Sequence, residues 1–322
     1  MYIPKHRIAP CPAGNPSGTD QTQASDSLPA FRPFVMEDRE WVTDLAEQFR
    51  PESCEYNFAN LFAWQAVCRY THTRYRGRLL VYDDISKSSF MPLGRQMSPE
   101  ALARLSEIML ANGMGPDLSL CPAAFLAQNP SLEQWYRAEP RRDRGEYLYL
   151  AEKLAALKGT KLHKKRNLIS QFQRRYPEYQ VVPMAGDLRS RSFDLAAALM
   201  LKFAPVPQSL EDEFQALGVS FEHFDALGLE GLVLLVNDRV AAFSLFSRLN
   251  PDTMNIQFEK ASPDFKGAAQ VINRETARHL LARCRILNRE QDLGVKGLRQ
   301  AKLSYEPEQI TQLYRLIYRH PV

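Results

Sequence analysis

Three apolar segments separated by two tight turns constrain the fold of this chain more than any other feature of its sequence. Residues 231–236, 240–249 and 253–260 each have the length and apolar content of a strand. Asn237-Asp238 and Asn250-Pro251-Asp252 separate them, and these residue types favour turns. The sequence therefore predicts an antiparallel meander. A Gly-containing loop, residues 262–268, follows it, and a long helix is predicted over residues 269–283.

The length of 322 residues is comfortable for two domains. Helices are predicted over residues 38–49, 58–67, 101–110, 162–176 and 193–203, and strands over 78–82 and 179–183. A basic, polar segment around Pro140, residues 137–144, marks a composition shift. We therefore predict a flexible N-terminal arm over residues 1–30, a first α/β domain over 31–140 and a second over 141–322.

Charge and cysteine content exclude some classes of protein. The net charge is only +4, so total charge alone does not indicate nucleic-acid or membrane binding. The five cysteines are scattered, without a CxxC pair or a Cys/His cluster of zinc-ligand spacing. This pattern predicts free thiols, no metal site and a cytoplasmic location. No apolar run approaches the ~20 residues of a membrane span, so no transmembrane segment is expected.

Several phrases of the sequence resemble a known family. They are Tyr56-Asn57-Phe58-Ala59-Asn60-Leu61, Leu162-His163-Lys164-Lys165-Arg166-Asn167, Phe258-Glu259-Lys260-Ala261, Asn288-Arg289-Glu290-Gln291-Asp292-Leu293-Gly294 and Gly297-Leu298-Arg299-Gln300-Ala301-Lys302-Leu303-Ser304-Tyr305. They are similar to an uncharacterised bacterial family related to the catalytic domain of phosphatidylglycerol lysyltransferase. The resemblance implies an α/β fold of two tandem GNAT-like domains, with mixed, largely antiparallel sheets flanked by helices. It also implies acyl or aminoacyl transfer.

The loop after the meander is the first candidate site. GNAT enzymes bind the pyrophosphate of acyl-CoA with backbone N–H groups of such a loop and the helix N-terminus behind it. Gly267 and Ala269 match that pattern, whereas Asp264 replaces a Gln or Arg. We predict a phosphate site at Lys266, Gly267, Ala268 and Ala269. The alternative is an ordinary turn from strand to helix.

The last strand of the meander is the second candidate. Side chains alternate along a strand, so Asn255, Gln257 and Glu259 should share one face and Ile256 and Phe258 the other. Glu259 is the predicted general base for an attacking amine. The alternative is a structural ion pair with a nearby Arg or Lys. The polar residues predicted to contact substrate are Gln257, Asn273, Asn288 and Asp292.

Residues 158–175 form the third candidate, because they contain seven Lys and Arg residues and no acid. An unpaired cationic helix face suits the phosphates of tRNA, a nucleotide or a lipid headgroup. The residues predicted to contact the donor are Lys161, His163, Lys164, Lys165, Arg166 and Asn167. The alternative is a solvated helix surface.

The fourth candidate lies near the C-terminus. Asp292 could cap a helix that follows the turn bracketed by Gly294 and Gly297. Lys302 and Tyr305 are three residues apart and should face the same way on that helix. We predict that they stabilise the reacting carbonyl or protonate the leaving group. A packed amphipathic helix is the alternative.

Three functions fit these observations. The first is transfer of an aminoacyl group from aminoacyl-tRNA to an amine or hydroxyl acceptor, which the cationic segment favours. The second is acyl-CoA-dependent N-acetyltransfer, which Gly267 favours and Asp264 disfavours. The third is a non-catalytic binding module that keeps the fold. In each case the expected partner is a phosphate-bearing molecule, tRNA or CoA, used as a co-substrate rather than as a tightly bound cofactor. The acceptor could be a small molecule, a peptide or a lipid headgroup.

Overall fold

A computed structural model describes residues 27–319, so most of the predicted arm (residues 1–26) lies outside the described part of the chain. Within residues 27–319 the chain forms ten α-helices and thirteen strands. The helices are α1 Asp38–Phe49, α2 Phe58–Cys68, α3 Pro99–Ala111, α4 Ala123–Gln128, α5 Ala151–Ala156, α6 His163–Arg175, α7 Leu188–Met200, α8 Gln208–Glu222, α9 Ala268–Leu280 and α10 Lys296–Leu303.

The strands form two sheets. Six make the first sheet: β1 Tyr70–Tyr75, β2 Arg78–Asp83, β3 Ser88–Phe90, β4 Asp117–Pro122, β5 Tyr136–Pro140 and β13 Leu313–Tyr318, in the order β1-β2-β3-β4-β13-β5. Seven make the second: β6 Glu146–Leu150, β7 Gln180–Pro183, β8 Glu230–Val236, β9 Arg239–Asn250, β10 Thr253–Ala261, β11 Ile286–Gln291 and β12 Gln309–Ile310, in the order β12-β6-β11-β10-β9-β8-β7. The predicted meander is confirmed as β8, β9 and β10.

Both sheets follow one plan. In the first, β1, β2 and β3 are antiparallel, α3 crosses over, β4 runs parallel to β3, and β13 is antiparallel to β4. In the second, β8, β9 and β10 are antiparallel, α9 crosses over, β11 runs parallel to β10, and β6 is antiparallel to β11. The predicted class, two tandem GNAT-like α/β units with mixed, largely antiparallel sheets flanked by helices, is therefore confirmed.

The chain passes from the first sheet to the second and returns to the first with its last strand in the described range. The predicted boundary, between residues 140 and 141, falls between β5 of the first sheet and β6 of the second. However, β13 at the end of the described chain returns to the first sheet and lies between β4 and β5. The division into domains 31–140 and 141–322 stays a prediction, and the first sheet takes strands from both segments.

Three hydrophobic cores hold the layers together. The central core lies between the sheets, where Leu79 and Phe90 of the first sheet belong to one buried cluster with Phe243 and Phe258 of the second. Helices α1, α2, α7 and α8 contribute to the same cluster. Helices α5, α6 and α9 cover the outer face of the second sheet, and α3 covers the outer face of the first. Polar groups that enter this central layer must therefore be paired or functional.

Local sequence explains where the central helices begin. The Asn57 side chain accepts a hydrogen bond from the N–H of Ala59 and caps α2. Asn57 also donates to the Ser247 hydroxyl of β9 at 3.0 Å, so the start of α2 is attached to the second sheet. Ser98 caps α3 in the same way, and Pro99 occupies its first turn. The start of α2 thereby becomes one wall of the site described next.

Candidate active site

Two parallel strands separate in the middle of the second sheet. β10 and β11 pair only at residues 253–255 and 286–288, although β10 continues to Ala261 and β11 to Gln291. Beyond the last pair, Asn255 with Asn288, the side chains of both strands face a gap. This gap is the candidate active site, because polar residues occupy it from both faces of the sheet.

A β-bulge at Gln257 changes which side chains share a face. Ile256 lies opposite Phe246 of β9, but Phe258 lies opposite Leu245, so Gln257 is the extra residue. Ile256 belongs to the outer core beside α9, whereas Phe258 belongs to the central core beside α2. The predicted single polar row is therefore wrong. Asn255 and Gln257 lie on the face toward α2 (the α2 face), and Glu259 lies on the face toward α9 (the α9 face).

On the α9 face, Glu259 and Arg289 form a largely buried ion pair across the gap. The Arg289 Nη2 atom lies 3.0 Å from the Glu259 carboxylate, and the two side chains are 13% and 15% exposed. Asn273 of α9 donates to the other oxygen of Glu259 at 3.1 Å. The Arg289 guanidinium lies 5.0 Å from the ring centre of Tyr305 and 5.7 Å from that of Tyr149. Aromatic faces and one carboxylate thus fix its orientation.

Several buried polar atoms near this ion pair have no partner. Among residues 27–319, nothing bonds Arg289 Nη1 or Asn273 Oδ1. The same holds for the hydroxyl of Ser244, which lies opposite Glu259 in the sheet, and for that of Thr276, one turn after Asn273 on α9. Buried polar groups are paired in most folds. A concentration of unpaired ones therefore marks this side of the gap as a place for a polar ligand.

These contacts bear on the predicted role of Glu259. Both of its carboxylate oxygens already accept a hydrogen bond, from Arg289 and from Asn273. Neither oxygen is therefore free to accept a proton from an amine without the loss of one of these hydrogen bonds. The geometry matches the alternative, an ion pair, and favours a role in orienting Arg289. General-base catalysis by Glu259 stays a prediction.

Lys302 and Tyr305 both lie next to Arg289, although Tyr305 is beyond the end of α10. The Lys302 ammonium is buried and donates to the carbonyls of Arg289 and Gln291 at 2.5 Å. Burial lowers the pKa of Lys302 to about 8. Burial also raises the pKa of the Tyr305 hydroxyl to about 12, and Gln270 hydrogen-bonds that side chain. Lys302 thus supports the backbone of β11, whereas Tyr305 lines the site directly.

On the α2 face, Glu290 is the central residue. Asn60 of α2 and Asn255 of β10 donate to the same carboxylate oxygen at 2.8 and 2.9 Å. Burial raises the pKa of this carboxyl to about 7. Its backbone is left-handed, with φ of 58°, a strained value for a residue with a side chain. The second oxygen has no donor among the described residues, so Glu290 has the geometry and the acidity of a general base near neutral pH.

Glu146 lies behind Glu290 and joins the two halves of the chain. It is fully buried and accepts hydrogen bonds from the Ser53 hydroxyl at 2.5 Å and the Cys54 N–H at 2.8 Å. Asn288 donates to it at 2.5 Å, which places this predicted substrate residue in a structural contact. Burial raises the pKa of Glu146 to about 7. The carboxyl therefore holds the start of the first half against β11.

Asp292 also has a structural environment. Its buried carboxylate accepts hydrogen bonds from Tyr147 at 2.6 Å, from the Gly294 N–H at 2.8 Å and from Arg299 at 2.8 and 2.9 Å. Arg142 adds a fourth donor at 3.1 Å. These donors hold the pKa of Asp292 well below its usual range, against the opposing effect of burial. Asp292 organises the turn before α10, and no oxygen remains open for substrate contact.

The loop at Gly267 lies under α6. Gly267 and Ala268 are buried, and a Cβ atom at Gly267 would come within 2.7 Å of the Leu168 carbonyl and 3.0 Å of Phe172. The Ala268 N–H is bonded to the Phe265 carbonyl at 2.9 Å. The predicted phosphate site needs an open backbone at these residues, and α6 covers it. Lys266 is exposed and Ala269 is partly exposed, but neither forms an open backbone site by itself.

The basic segment forms α6 and the loop before it. His163, Lys164 and Asn167 are exposed, and their side chains have no hydrogen-bond partner within residues 27–319. Arg166 is structural, because it donates to the carbonyls of Leu157 and Gly159 at 2.5 and 2.7 Å. The first turn of α6 contains no acid. Cations there oppose the helix dipole, so an anion bound at this end would stabilise it.

An open groove lies beside this basic segment and reaches Tyr305. It has a volume of about 660 Å³ and lies between the loop before α6 and Tyr305. Lys158 and Lys161 line it, and Lys161 pairs with Glu306 at 2.8 Å. The Lys165 ammonium lies 4.1 Å from the centre of the Tyr305 ring, whose other neighbour is Arg289. Tyr305 therefore belongs to both the groove and the ion pair.

Sequence reasoning missed the two central residues, Arg289 and Glu290, as well as Glu146. The first two stand inside a phrase that carried the family resemblance, so a signal for them was present. Glu146 gave only a weak signal, as a single acid at the start of an apolar strand. Among residues 27–319 no three His, Cys, Asp or Glu side chains gather in a way that could hold a metal ion. No helix of that same range combines the length and the apolar character that crossing a bilayer requires.

Comparison with solved structures places this arrangement among known folds. A conserved protein of unknown function from Bacteroides thetaiotaomicron has a TM-score of 0.84 and 28% identity, over 90% of this chain and 99% of that one. The C-terminal domain of a candidate lysylphosphatidylglycerol synthetase from Agrobacterium fabrum has a TM-score of 0.62 and 15% identity, over 87% and 91% of the two chains. L-PGS from Bacillus licheniformis has a TM-score of 0.58 and 12% identity, over 88% and 93%. The last two likenesses establish a shared fold.

Sequence comparison gives the family. No curated protein sequence matches the chain. The family model described as phosphatidylglycerol lysyltransferase, C-terminal, matches residues 46–317, which include both sheets apart from Tyr318 and every residue of the gap described above. The chain therefore belongs to the phosphatidylglycerol lysyltransferase C-terminal family.

Proposed function

We propose that this protein transfers an aminoacyl group from aminoacyl-tRNA to an amine or hydroxyl acceptor at the gap between β10 and β11. Membership of the lysyltransferase family supports transfer chemistry in general. The observation that carries the proposal is Arg289, a buried cation whose Nη1 atom has no partner within residues 27–319. A buried guanidinium with a free donor is suited to the negative charge that develops on a reacting carbonyl oxygen.

The groove supports a polynucleotide donor. Its volume of about 660 Å³ exceeds what a single acyl group needs, and its lysines lie beside the acid-free first turn of α6. Lys158 and Lys164 have no acidic partner among the described residues, so they are available to phosphates. Tyr305 would receive the end of the donor, next to Arg289. Acyl-CoA is less well supported, because α6 covers the loop at Gly267 that would hold its pyrophosphate.

The proposed step is a single acyl transfer. The acceptor nitrogen or oxygen attacks the ester carbonyl carbon of the aminoacyl-tRNA, and Glu290 takes the proton that the acceptor loses. Arg289, held by Glu259, stabilises the charge on the carbonyl oxygen. The ester bond to the terminal ribose then breaks, and the ribose oxygen receives a proton from the Tyr305 hydroxyl. Alignment of the two substrates in the gap supplies a further share of the acceleration.

The test measures release of uncharged tRNA from aminoacyl-tRNA in the presence of a panel of amines and alcohols. We expect Arg289→Gln to reduce kcat/KM about 10²–10³-fold, the usual effect of removing one charge-stabilising donor. Arg285→Gln is the matched control, since Arg285 is exposed and immediately precedes β11. It should transfer at the wild-type rate.

A second measurement separates the donors. A ligand present at about a hundred times its dissociation constant raises the free energy of unfolding by ~2.7 kcal/mol. We expect aminoacyl-tRNA to do this and acetyl-CoA to leave the unfolding free energy unchanged. Stabilisation and consumption of acetyl-CoA, with no effect of tRNA, would replace the proposal by N-acetyltransfer.

A further inference from the structure

The α2 face of the gap contains buried oxygen atoms that accept no hydrogen bond. Asn255 is fully buried and Gln257 is 9% exposed. Across the described part of the chain, nothing donates to Asn255 Oδ1 or Gln257 Oε1. Leaving a buried acceptor without a donor costs about 1–3 kcal/mol. Two such atoms on one face of one strand point to a ligand that brings donors.

The hydrogen bonds of the neighbours fix the orientation of both amides. The Asn255 NH₂ group donates to the Glu290 carboxylate at 2.9 Å, and a carboxylate accepts only. The Gln257 NH₂ group donates to the Ser247 hydroxyl at 2.5 Å. The Ser247 hydroxyl lies 3.0 Å from the Asn57 Nδ2 atom and 3.2 Å from its Oδ1 atom, and in this arrangement it donates to the Asn57 oxygen and accepts from Gln257. The unpaired atoms on this face are therefore carbonyl oxygens.

The unpaired acceptors on this face lie beside three carboxyl groups. Glu290 offers a second carboxylate oxygen, and Glu146 and Glu55 lie behind it around Gln291. Two cations lie near these carboxyl groups: Arg144 pairs with Glu55 at 3.7 Å, and Lys302 donates to two main-chain carbonyls. The face thus offers carbonyl and carboxylate oxygens, and the cations near them are bonded to other groups. A group that carries both positive charge and several N–H bonds matches it, and a neutral alcohol or an anion does not.

We propose that Asn255, Gln257 and Glu290 form a binding site for a primary ammonium group. This inference rests on the proposed function, since it names the substrate group recognised at the same gap. The ammonium has two sources: an amine acceptor, or the α-ammonium of the aminoacyl donor. If it belongs to the acceptor, Glu290 removes one N–H proton, and the freed lone pair forms the new C–N bond as the ester C–O bond to the ribose breaks. The nitrogen then loses a second proton, which balances the proton that Tyr305 gives to the ribose oxygen.

Calorimetric titration of the wild-type protein without any donor tests the site. The probes are n-butylammonium, an amine without a carbonyl; alaninamide, an α-ammonium beside a carbonyl; tetramethylammonium, which has charge but no N–H; and n-butanol. We expect butylammonium or alaninamide to bind at least ~10-fold more tightly than tetramethylammonium and n-butanol, because hydrogen bonds to a charged group contribute about 1.5–3 kcal/mol each. Tighter binding of butylammonium indicates the acceptor, and tighter binding of alaninamide indicates the donor.

Variants locate the site. Gln257→Leu removes one acceptor with little change in size and should weaken binding about 10-fold. Gln257→Glu replaces that acceptor by a carboxylate and should strengthen binding, which tests the site even if the leucine variant is unstable. Gln173→Leu is the matched control, because it removes an amide from α6 that bonds Tyr179, far from the gap in the sequence. It should bind as the wild type does.

The results separate this inference from the proposed function. Equal binding of tetramethylammonium and butylammonium, or unchanged affinity in both Gln257 variants, overturns the ammonium site even if aminoacyl transfer is observed. Selective ammonium binding that both variants alter, without transfer from any aminoacyl-tRNA, keeps the site and overturns the proposed function.

Discussion

Replacing Glu146 by Gln tests how the two halves of the chain are joined. The Glu146 carboxyl is fully buried, and its partners come from Ser53 and Cys54 on one side and from Asn288 on the other. Burial raises its pKa from 4.5 to about 7. A carboxyl whose pKa rises on folding stabilises the folded state while it is protonated. That contribution is complete below the unfolded pKa and is lost as the pH rises through the folded pKa.

The size of the effect follows from those two pKa values. With a folded pKa of about 7 and an unfolded value of 4.5, the contribution to the free energy of unfolding falls by about 1.3 kcal/mol between roughly pH 6 and pH 8. Glutamine has the shape of the protonated acid and no proton to lose. Its NH₂ group can donate to the Ser53 hydroxyl, which is able to accept, and its oxygen can keep the Cys54 and Asn288 donors.

Urea unfolding at the two pH values is the assay. The free energy of unfolding of the wild type, minus that of Glu146→Gln, should fall by about 1.3 kcal/mol between roughly pH 6 and pH 8. Other groups with shifted pKa values contribute equally to both proteins and cancel in this difference. Glu133→Gln, a change of an exposed carboxylate, should follow the wild type at both pH values. Parallel loss of stability in wild type and Glu146→Gln would refute a buried, neutral Glu146.

Three further changes test the site and its surroundings. Gly267→Ala should lower the free energy of unfolding by about 1–3 kcal/mol, because φ is 98° there and the new Cβ would clash with α6. Gly297→Ala is the control: Gly297 has open space around it, so this change should not destabilise the protein. Glu259→Gln should reduce kcat/KM only about 10-fold, because the Gln side chain can still accept a hydrogen bond from Arg289. A reduction of ~10²–10⁴-fold would instead indicate that Glu259 acts as the general base. Lys164→Ala should reduce the salt dependence of tRNA affinity by the equivalent of about one phosphate contact. Lys202→Ala, at another exposed lysine, is the control and should leave that dependence unchanged. The same result for both variants would show that Lys164 is a solvated surface residue without a phosphate contact.

The meander and several helices could be predicted from sequence, because residues next to each element decide where it begins and ends. Strands β8, β9 and β10 lie within one or two residues of their predicted limits, since turn residues separate them. The helix predicted over residues 101–110 is confirmed as α3, which begins two residues earlier because Ser98 caps it and Pro99 occupies its first turn. By contrast, nothing near residues 313–318 indicates that they return to the first sheet, because that pairing is decided by a partner strand about 200 residues away.

The arrangement of the candidate site was less predictable because it depends on bulges. Alternation along β10 predicted one polar row, and a single extra residue at Gln257 separates Asn255 from Glu259. A bulge has a geometric rather than a compositional cause, so it leaves little trace in the local sequence. The ion pair of Glu259, by contrast, was among the weighed alternatives, because a carboxylate on a central strand needs a cation.

The repeated plan of the two sheets supports placing the proposed chemistry in the second half. In β11, Arg289 and Glu290 together oppose one residue of β6, and in β4, Ser119 and Leu120 together oppose one residue of β13. Glu290 and Leu120 both have left-handed backbones, with φ of 58° and 61°. The first sheet thus keeps the bulge and its strain but places a serine and a buried leucine where the second has a guanidinium and a carboxylate. An equivalent backbone without the charged pair cannot stabilise a carbonyl oxygen or accept a proton. The first half therefore contributes Asn60 and Ser53 as a wall of the site, and under the proposed function the reacting groups come from β11.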